Sequence, residues 1–90
     1  MRYAARKDAN HTKIVQALRD GGAYVYDIEL PVDILCGYAG VTALVEIKTE
    51  TGKHTKLQKD FMRDWKGGIV ATIRDVEGAK HLLGVMKNGV

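Results

Sequence analysis

The stretch 31-PVDILCGYAGVTALVEIK-48 is the most informative part of the sequence for the fold, because it predicts two β-strands joined by a tight turn. Two carboxylates, Asp33 and Glu46, lie in this run among apolar residues that would normally be buried. Side chains alternate across a strand, so Glu46 and Lys48 point to the same face of the sheet. The question is what holds two acids in the most apolar part of the chain.

The position of the turn determines which residues face each other across this hairpin. A two-residue loop at residues 39–40 places Asp33 directly opposite Glu46. A loop shifted by one residue toward the N-terminus pairs Asp33 with Leu44 and leaves Glu46 diagonal. In either register both carboxylates share one face of the sheet with Lys48.

Caps, glycines and β-forming residues predict the other elements of the chain. Trp65 falls near the end of a predicted helix and is expected in the core. The predicted elements are a helix capped by Asp8 and running to about Asp20, a strand at 23–29, a helix at 55–66 capped by Thr55, a strand at 69–73, and a helix capped by Asp75.

The resulting order, α-β-β-β-α-β-α, predicts an α/β domain with a mixed central sheet flanked by helices. The connection from the strand that ends near Lys48, through the helix at 55–66, to the strand at 69–73 has the length of a right-handed crossover. Those two strands are therefore expected to be parallel. A chain of 90 residues is expected to form one domain with a small core.

The net charge of +3 is unevenly distributed along the chain. Residues 21–47 contain four acids and no lysine or arginine, whereas residues 1–20 and 48–66 each carry a net charge of +3. An acidic centre between basic segments suits a protein that holds a metal in the middle and a polyanion around it. The competing interpretation is an ordinary solvated, charged surface.

Composition also bears on the compartment. The single cysteine, Cys36, lies in an apolar run, where we expect a core residue in a reducing environment. No apolar stretch approaches the roughly 20 residues of a membrane span, and the segment MRYAARKDAN lacks the apolar core of a signal peptide. We therefore expect a cytoplasmic protein without a membrane partner.

Two carboxylates on one sheet face need compensation, because like charges at neighbouring positions destabilise a sheet and apolar neighbours add a desolvation cost. A hard divalent cation such as Mg²⁺ would provide it, with the backbone carbonyl of Ile47 as a further oxygen ligand. Lys48 would then orient a water or neutralise charge on a phosphate. The alternative is a solvated hairpin in which Lys48 is a salt-bridge partner of the acids.

The pattern around these residues is similar to that of a known nuclease superfamily. Asp33, thirteen residues before the triplet Glu46-Ile47-Lys48 and followed by a helix that carries Gln58, resembles the PD-(D/E)XK nucleases. Within that superfamily, the sequence DIL…LVEIK…KLQ resembles small stand-alone VRR-NUC domains of phages and bacteria. The resemblance covers about residues 8 to 83 and implies a single nuclease domain over 1–90 with a restriction-endonuclease-like core.

This resemblance implies a Mg²⁺- or Mn²⁺-dependent DNA endonuclease. It would cleave branched DNA such as Holliday junctions, or duplex DNA, as a homodimer in a bacterial or phage-infected cell. Carried over residue by residue, Asp33 and Glu46 would bind the metal, Ile47 would lend its carbonyl, Lys48 would assist catalysis, and Gln58 would belong to the catalytic site.

Several of these residues have more than one interpretation. Gln58 also completes a capping box that begins at Thr55. His11 stands where many relatives carry a glutamate in the first helix, so it is a candidate metal ligand, a phosphate contact or a simple helix-end residue. Four basic residues are candidate DNA contacts, or a solvated helix face: Lys53, Lys56, Lys59 and Arg63.

Two other functions fit the same sequence. One is a DNA-binding module that keeps the fold and has lost turnover, which the histidine at position 11 suggests. The other is an interaction domain that dimerises through its edge strands, with an incidental charge distribution.

Overall fold

The computed structural model describes residues 9–89, so the predicted cap Asp8 lies outside the described part of the chain. Within that part, the element order agrees with the prediction. The elements are α1 (Ala9–Asp20), β1 (Tyr24–Asp27), β2 (Ile34–Tyr38), β3 (Val41–Ile47), α2 (Lys56–Asp64), β4 (Ile69–Ile73) and α3 (Val76–Lys87).

The four strands form one mixed sheet in the order β1-β2-β3-β4. β1 and β2 are antiparallel, as are β2 and β3, whereas β3 and β4 are parallel. The parallel pair confirms the crossover predicted through α2. The chain therefore has an α/β fold with a mixed sheet.

The hairpin between β2 and β3 has the register that a loop at Ala39 and Gly40 predicts. Both residues have positive φ angles, 54° and 79°, which suits the right-handed twist of the flanking strands. Tyr38 pairs with Val41, and the pairing continues to the other end of β2. The shifted register is therefore excluded.

The core lies between one face of the sheet and the helices α1 and α3. Helix α1 contributes Ile14 and Leu18 to this core, and neither has exposed surface. Cys36 is also fully buried, as predicted, and burial raises the pKa of its thiol. Other members of this cluster are Val25, Ile34, Ala43, Val45, Ile73, Ala79, Leu82 and Met86.

Strand β1 is shorter than the predicted strand at 23–29. The backbone turns at Glu29, which has a φ of 71°, and the N–H groups of Ile28 and Glu29 both donate to the carbonyl of Asp33, at 3.0 and 3.1 Å. These bonds replace ladder bonds and end the strand at Asp27. The same turn fixes the backbone of Asp33.

Helix α2 begins as predicted at the Thr55 cap but ends at Asp64, and its C-terminus contradicts one expectation. Trp65 is 40% exposed, so its prediction as a core residue is wrong. At this C-cap the backbone becomes extended, and the Trp65 ring packs against Phe61 with ring centroids 5.4 Å apart. Its indole Nε1 donates to the carbonyl of Gly68 at 2.9 Å.

The two longest helices between residues 9 and 89 have 12 residues each, against about 20 for a membrane span. No helix in that range is long and apolar enough to cross a membrane.

Candidate functional site

Glu46 occupies an unusual position for an acid. It lies on the sheet face opposite the core, because its neighbour Val45 points into the core. Even so, only 2% of Glu46 is exposed, and it is the one charged residue buried among residues 9–89. Burial of an ionisable group at this depth is rare unless the group has a partner.

Asp33 is fixed beside Glu46 by hydrogen bonds of its backbone and of its side chain. Pairing between β2 and β3 ends at Ile34, so the predicted direct pair of Asp33 with Glu46 is not part of the ladder. Instead, the Asp33 carboxylate accepts a hydrogen bond from the backbone N–H of Ile47 at 2.7 Å. The carboxylate thus continues the strand pairing by one step and stays on the side of Glu46 that faces β2.

One carboxylate oxygen of Glu46 carries both of its polar contacts. Gln58 Nε2 donates to Oε2 at 2.6 Å, and Lys48 Nζ lies 3.5 Å from the same oxygen. The other oxygen, Oε1, is buried and has no hydrogen-bond partner within residues 9–89. An unpartnered buried oxygen is costly, so a water or a cation that binds Oε1 would stabilise the protein.

The electrostatics of the pair agree with this geometry. The pKa of Glu46 is raised from 4.5 to about 7, most by burial and next by the nearby charge of Asp33, while Lys48 opposes the shift. The carboxylates of Asp33 and Glu46 are therefore held close together, which disfavours the ionised form of Glu46, and Lys48 offsets only part of this effect.

These residues fit a hard divalent cation. The Ile47 N–H points toward Asp33, whereas the next N–H, of Lys48, donates to Ile73 of β4 at 3.1 Å. Because the N–H and C=O of a strand residue point the same way, the Ile47 carbonyl also faces the Asp33 side. A carbonyl and two carboxylates are oxygen ligands of the kind that Mg²⁺ and Mn²⁺ prefer.

No group of three or more His, Cys, Asp or Glu side chains suited to a metal occurs between residues 9 and 89. The structure places His11 against Asp27, with His11 Nε2 3.2 Å from the Asp27 Oδ1. A role for His11 as a metal ligand stays a prediction. A cation at Asp33 and Glu46 would complete its coordination with water and phosphate oxygens.

Gln58 forms the predicted capping box and also contacts Glu46, while its catalytic role stays a prediction. Its side-chain Oε1 accepts a hydrogen bond from the backbone N–H of Thr55 at 2.9 Å, and its backbone N–H donates to Thr55 Oγ1 at 3.2 Å. Together these two bonds form a complete capping box. The nitrogen of the same side-chain amide, Nε2, donates to Glu46. The cap therefore orients the amide that holds the buried carboxylate.

The four candidate DNA-contacting residues are exposed, but they differ in their ion pairs. Arg63 binds Asp64 at 2.8 Å and Asp60 at 3.2 Å, and Lys56 binds Asp60 at 2.9 Å. Lys53 and Lys59 form no ion pair within the part of the chain that the structure describes. Lys53 and Lys59 are therefore less engaged than Lys56 and Arg63, and their role as phosphate contacts stays a prediction.

Sequence patterns missed three further contacts around the site. Asn10 Nδ2 of α1 donates to the carbonyl of Lys48 at 2.7 Å, and His54 Nε2 lies 2.8 Å from Thr72 Oγ1. Arg74 Nη1 donates to two carbonyls of the loop that follows β3. Of these residues only Thr72 had a signal, since the predicted parallel strands bring it near Glu46.

Comparisons of this chain with models of protein families, with curated proteins and with solved structures find no match. Functional assignment therefore depends on the sequence pattern and on the geometry of the site.

Proposed function

We propose that this protein is a divalent-metal-dependent endonuclease that hydrolyses phosphodiester bonds of DNA. The observation that carries the proposal is the buried Glu46, whose Oε1 has no hydrogen-bond partner among residues 9–89 while Asp33 and Lys48 lie beside it. Such an arrangement costs stability in the absence of a cation and becomes favourable when one binds. The sequence resemblance to PD-(D/E)XK nucleases, and to small VRR-NUC domains among them, supports the same function and a restriction-endonuclease-like core.

The chemistry that a bound Mg²⁺ or Mn²⁺ supplies is Lewis-acid neutralisation of charge on the phosphate. Hydrolysis forms a P–O bond to a water oxygen and breaks the ester P–O bond, and a proton passes to the leaving sugar oxygen. Lys48, whose side chain is 17% exposed, orients that water or offsets the charge that develops on the phosphate. Gln58 is a positioning residue, because its amide holds the Glu46 carboxylate.

DNA would bind along the basic segment that follows β3. Lys53, Lys56, Lys59 and Arg63 are exposed in the loop before α2 and on α2 itself, which also carries Gln58. Basic side chains at these positions can hold the phosphate backbone without reading bases. A preference for the shape of branched DNA, such as a Holliday junction, is part of this proposal.

The proposed assembly is a homodimer. Tyr24, Tyr26 and Leu35 are 72%, 58% and 36% exposed, and they share the sheet face opposite the core. Neighbouring exposed apolar side chains favour association with another surface. Light scattering coupled to size-exclusion chromatography would give twice the chain mass if this assembly forms.

Cleavage of fluorescently labelled DNA tests the proposed activity. Wild-type protein with Mn²⁺ should cut a four-way junction, and Lys48→Ala should reduce the rate by about a hundredfold or more. Lys80→Ala, which removes an exposed lysine of α3, is the matched control and should cleave at the wild-type rate. Equal cleavage by wild type and Lys48→Ala would refute the assignment.

A DNA-binding module without turnover is the second candidate. The observation in its favour is that no third His, Cys, Asp or Glu joins Asp33 and Glu46 as a metal group between residues 9 and 89. This module would bind DNA with a steep dependence on salt and would show no Mn²⁺-dependent cleavage.

A further inference from the structure

His54 occupies the side of Glu46 that lies opposite Asp33. Thr72 of β4 is the register partner of Glu46. The two side chains therefore lie on the same sheet face, on adjacent strands whose backbones are about 4.8 Å apart. His54 Nε2 is 2.8 Å from the Thr72 hydroxyl. Glu46 is therefore flanked by Asp33 on its β2 side and by the His54-Thr72 pair on its β4 side.

The surroundings of His54 are cationic. Burial lowers the pKa of His54, and the charges of Lys48, Arg74 and Lys59 lower it further. The imidazole is therefore neutral near pH 7 and lies among three positive side chains. An environment of this kind suits an anion, in contrast to the acidic side of the site formed by Asp33 and Glu46.

The loop that carries His54 is held in place by Arg74. Arg74 Nη1 donates to the carbonyls of Thr49 and Gly52 at 2.8 and 2.6 Å, and the Gly52 N–H donates to Thr49 at 3.2 Å. The Thr55 cap fixes the other end of the loop. Hydrogen bonds therefore hold the loop at both ends and fix the position of His54, as is favourable for a residue that binds a ligand.

We propose that His54 binds a phosphate oxygen of the DNA strand on the β4 side of Glu46, and that Thr72 sets its tautomer. A neutral imidazole donates from one nitrogen only. If the Thr72 hydroxyl donates to Nε2, the proton stays on Nδ1, and Nδ1 becomes the donor to phosphate. Within residues 9–89, Nδ1 of His54 has no protein partner. This inference rests on the proposed function, since it assigns a substrate contact to the same site.

Two substitutions separate the ring nitrogens. In His54→Asn the side-chain amide lies near the former position of Nδ1, whereas in His54→Gln it reaches the former position of Nε2. His54→Asn should keep the phosphate contact and lose the Thr72 contact, and His54→Gln should do the reverse. His81→Gln, which changes an exposed histidine of α3, is the matched control.

Binding is measured without metal, by fluorescence anisotropy of a labelled DNA duplex at low salt with EDTA present. His54→Gln should bind about tenfold more weakly than wild type, while His54→Asn and His81→Gln should stay close to wild type. Thermal unfolding of each variant establishes that the fold is intact. Long-range ¹H–¹⁵N spectra of wild type should show the proton on Nδ1.

Equal binding by His54→Gln and wild type, or equal losses in both His54 variants, would overturn the inference, as would a proton on Nε2. Failure of wild type to bind the duplex at low salt would overturn it as well. Binding by wild type without Mn²⁺-dependent cleavage would refute only the nuclease assignment. The two proposals therefore fail in distinguishable ways.

Discussion

Replacing Glu46 with glutamine is expected to stabilise the metal-free protein at pH 8. The folded-state pKa of Glu46 is about 7, against its ordinary value of 4.5. A difference of this size corresponds to about 3 kcal/mol of unfolding free energy. Glutamine has nearly the same shape, still accepts from Gln58, and carries no charge to repel Asp33.

The sign of the effect follows from proton binding. Below pH 4.5 the carboxyl is protonated in both the folded and the unfolded chain, so its contribution to stability is fully present. As the pH rises toward about 7, the unfolded chain loses the proton first, and the folded protein loses stability relative to it. Above that window the loss is complete, so the advantage of Glu46→Gln over wild type should grow from near zero at pH 4 to about 3 kcal/mol at pH 8.

Urea unfolding followed by circular dichroism, without metal and at several pH values, measures this difference. The matched control is Glu77→Gln, which changes a glutamate of α3 whose side chain is 83% exposed and should leave the pH profile unchanged. A gain in unfolding free energy by Glu46→Gln that is equal at pH 4 and pH 8, or absent at both, would refute the conclusion that burial and Asp33 disfavour the ionised form of Glu46 in the folded protein.

Wild type and Glu46→Gln also test the proposed cation site. Mn²⁺ at about a hundredfold excess over its Kd should stabilise wild type by about 2.7 kcal/mol at pH 8. Glu46→Gln should gain much less, because it loses the ionised oxygens that would bind the metal. Equal stabilisation of both proteins would place the cation elsewhere.

Other substitutions test the DNA contacts and the packing. Lys59→Ala should reduce the slope of log K against log salt for duplex binding by about 1, whereas Arg63→Ala, whose guanidinium already binds two aspartates, should change that slope less. Gly21→Ala should destabilise the fold by about 1–3 kcal/mol in urea unfolding, because the new Cβ collides with Leu83 Cδ1. Gly84→Ala, in open space on α3, should stabilise it by about 1 kcal/mol, and a stabilising Gly21→Ala or a destabilising Gly84→Ala would contradict this packing.

Local patterns predicted the framework of the site. Alternation along the strand placed Glu46 and Lys48 on one face in either hairpin register, and the structure selects the register with the loop at residues 39 and 40. The capping box of Thr55 and Gln58 was also predictable, because its partners are three residues apart. Short-range rules of this kind depend on backbone geometry that few residues determine.

Contacts between distant segments were not predictable in the same way. Asn10 and Lys48 are separated by 38 residues, and His54 and Thr72 by 18, so no spacing rule relates them. The exposure of Trp65 follows from the end of α2 at Asp64, two residues before the predicted end of this helix. Such features depend on tertiary packing, which overrides local preference.

Anomalous diffraction from crystals soaked in Mn²⁺ would locate the proposed cation. We expect one peak at roughly 2.0–2.3 Å from Glu46 Oε1, an Asp33 oxygen and the Ile47 carbonyl, in wild type and not in Glu46→Gln. A fully soaked crystal with no peak between these three groups, or with a peak that persists in Glu46→Gln, would contradict it.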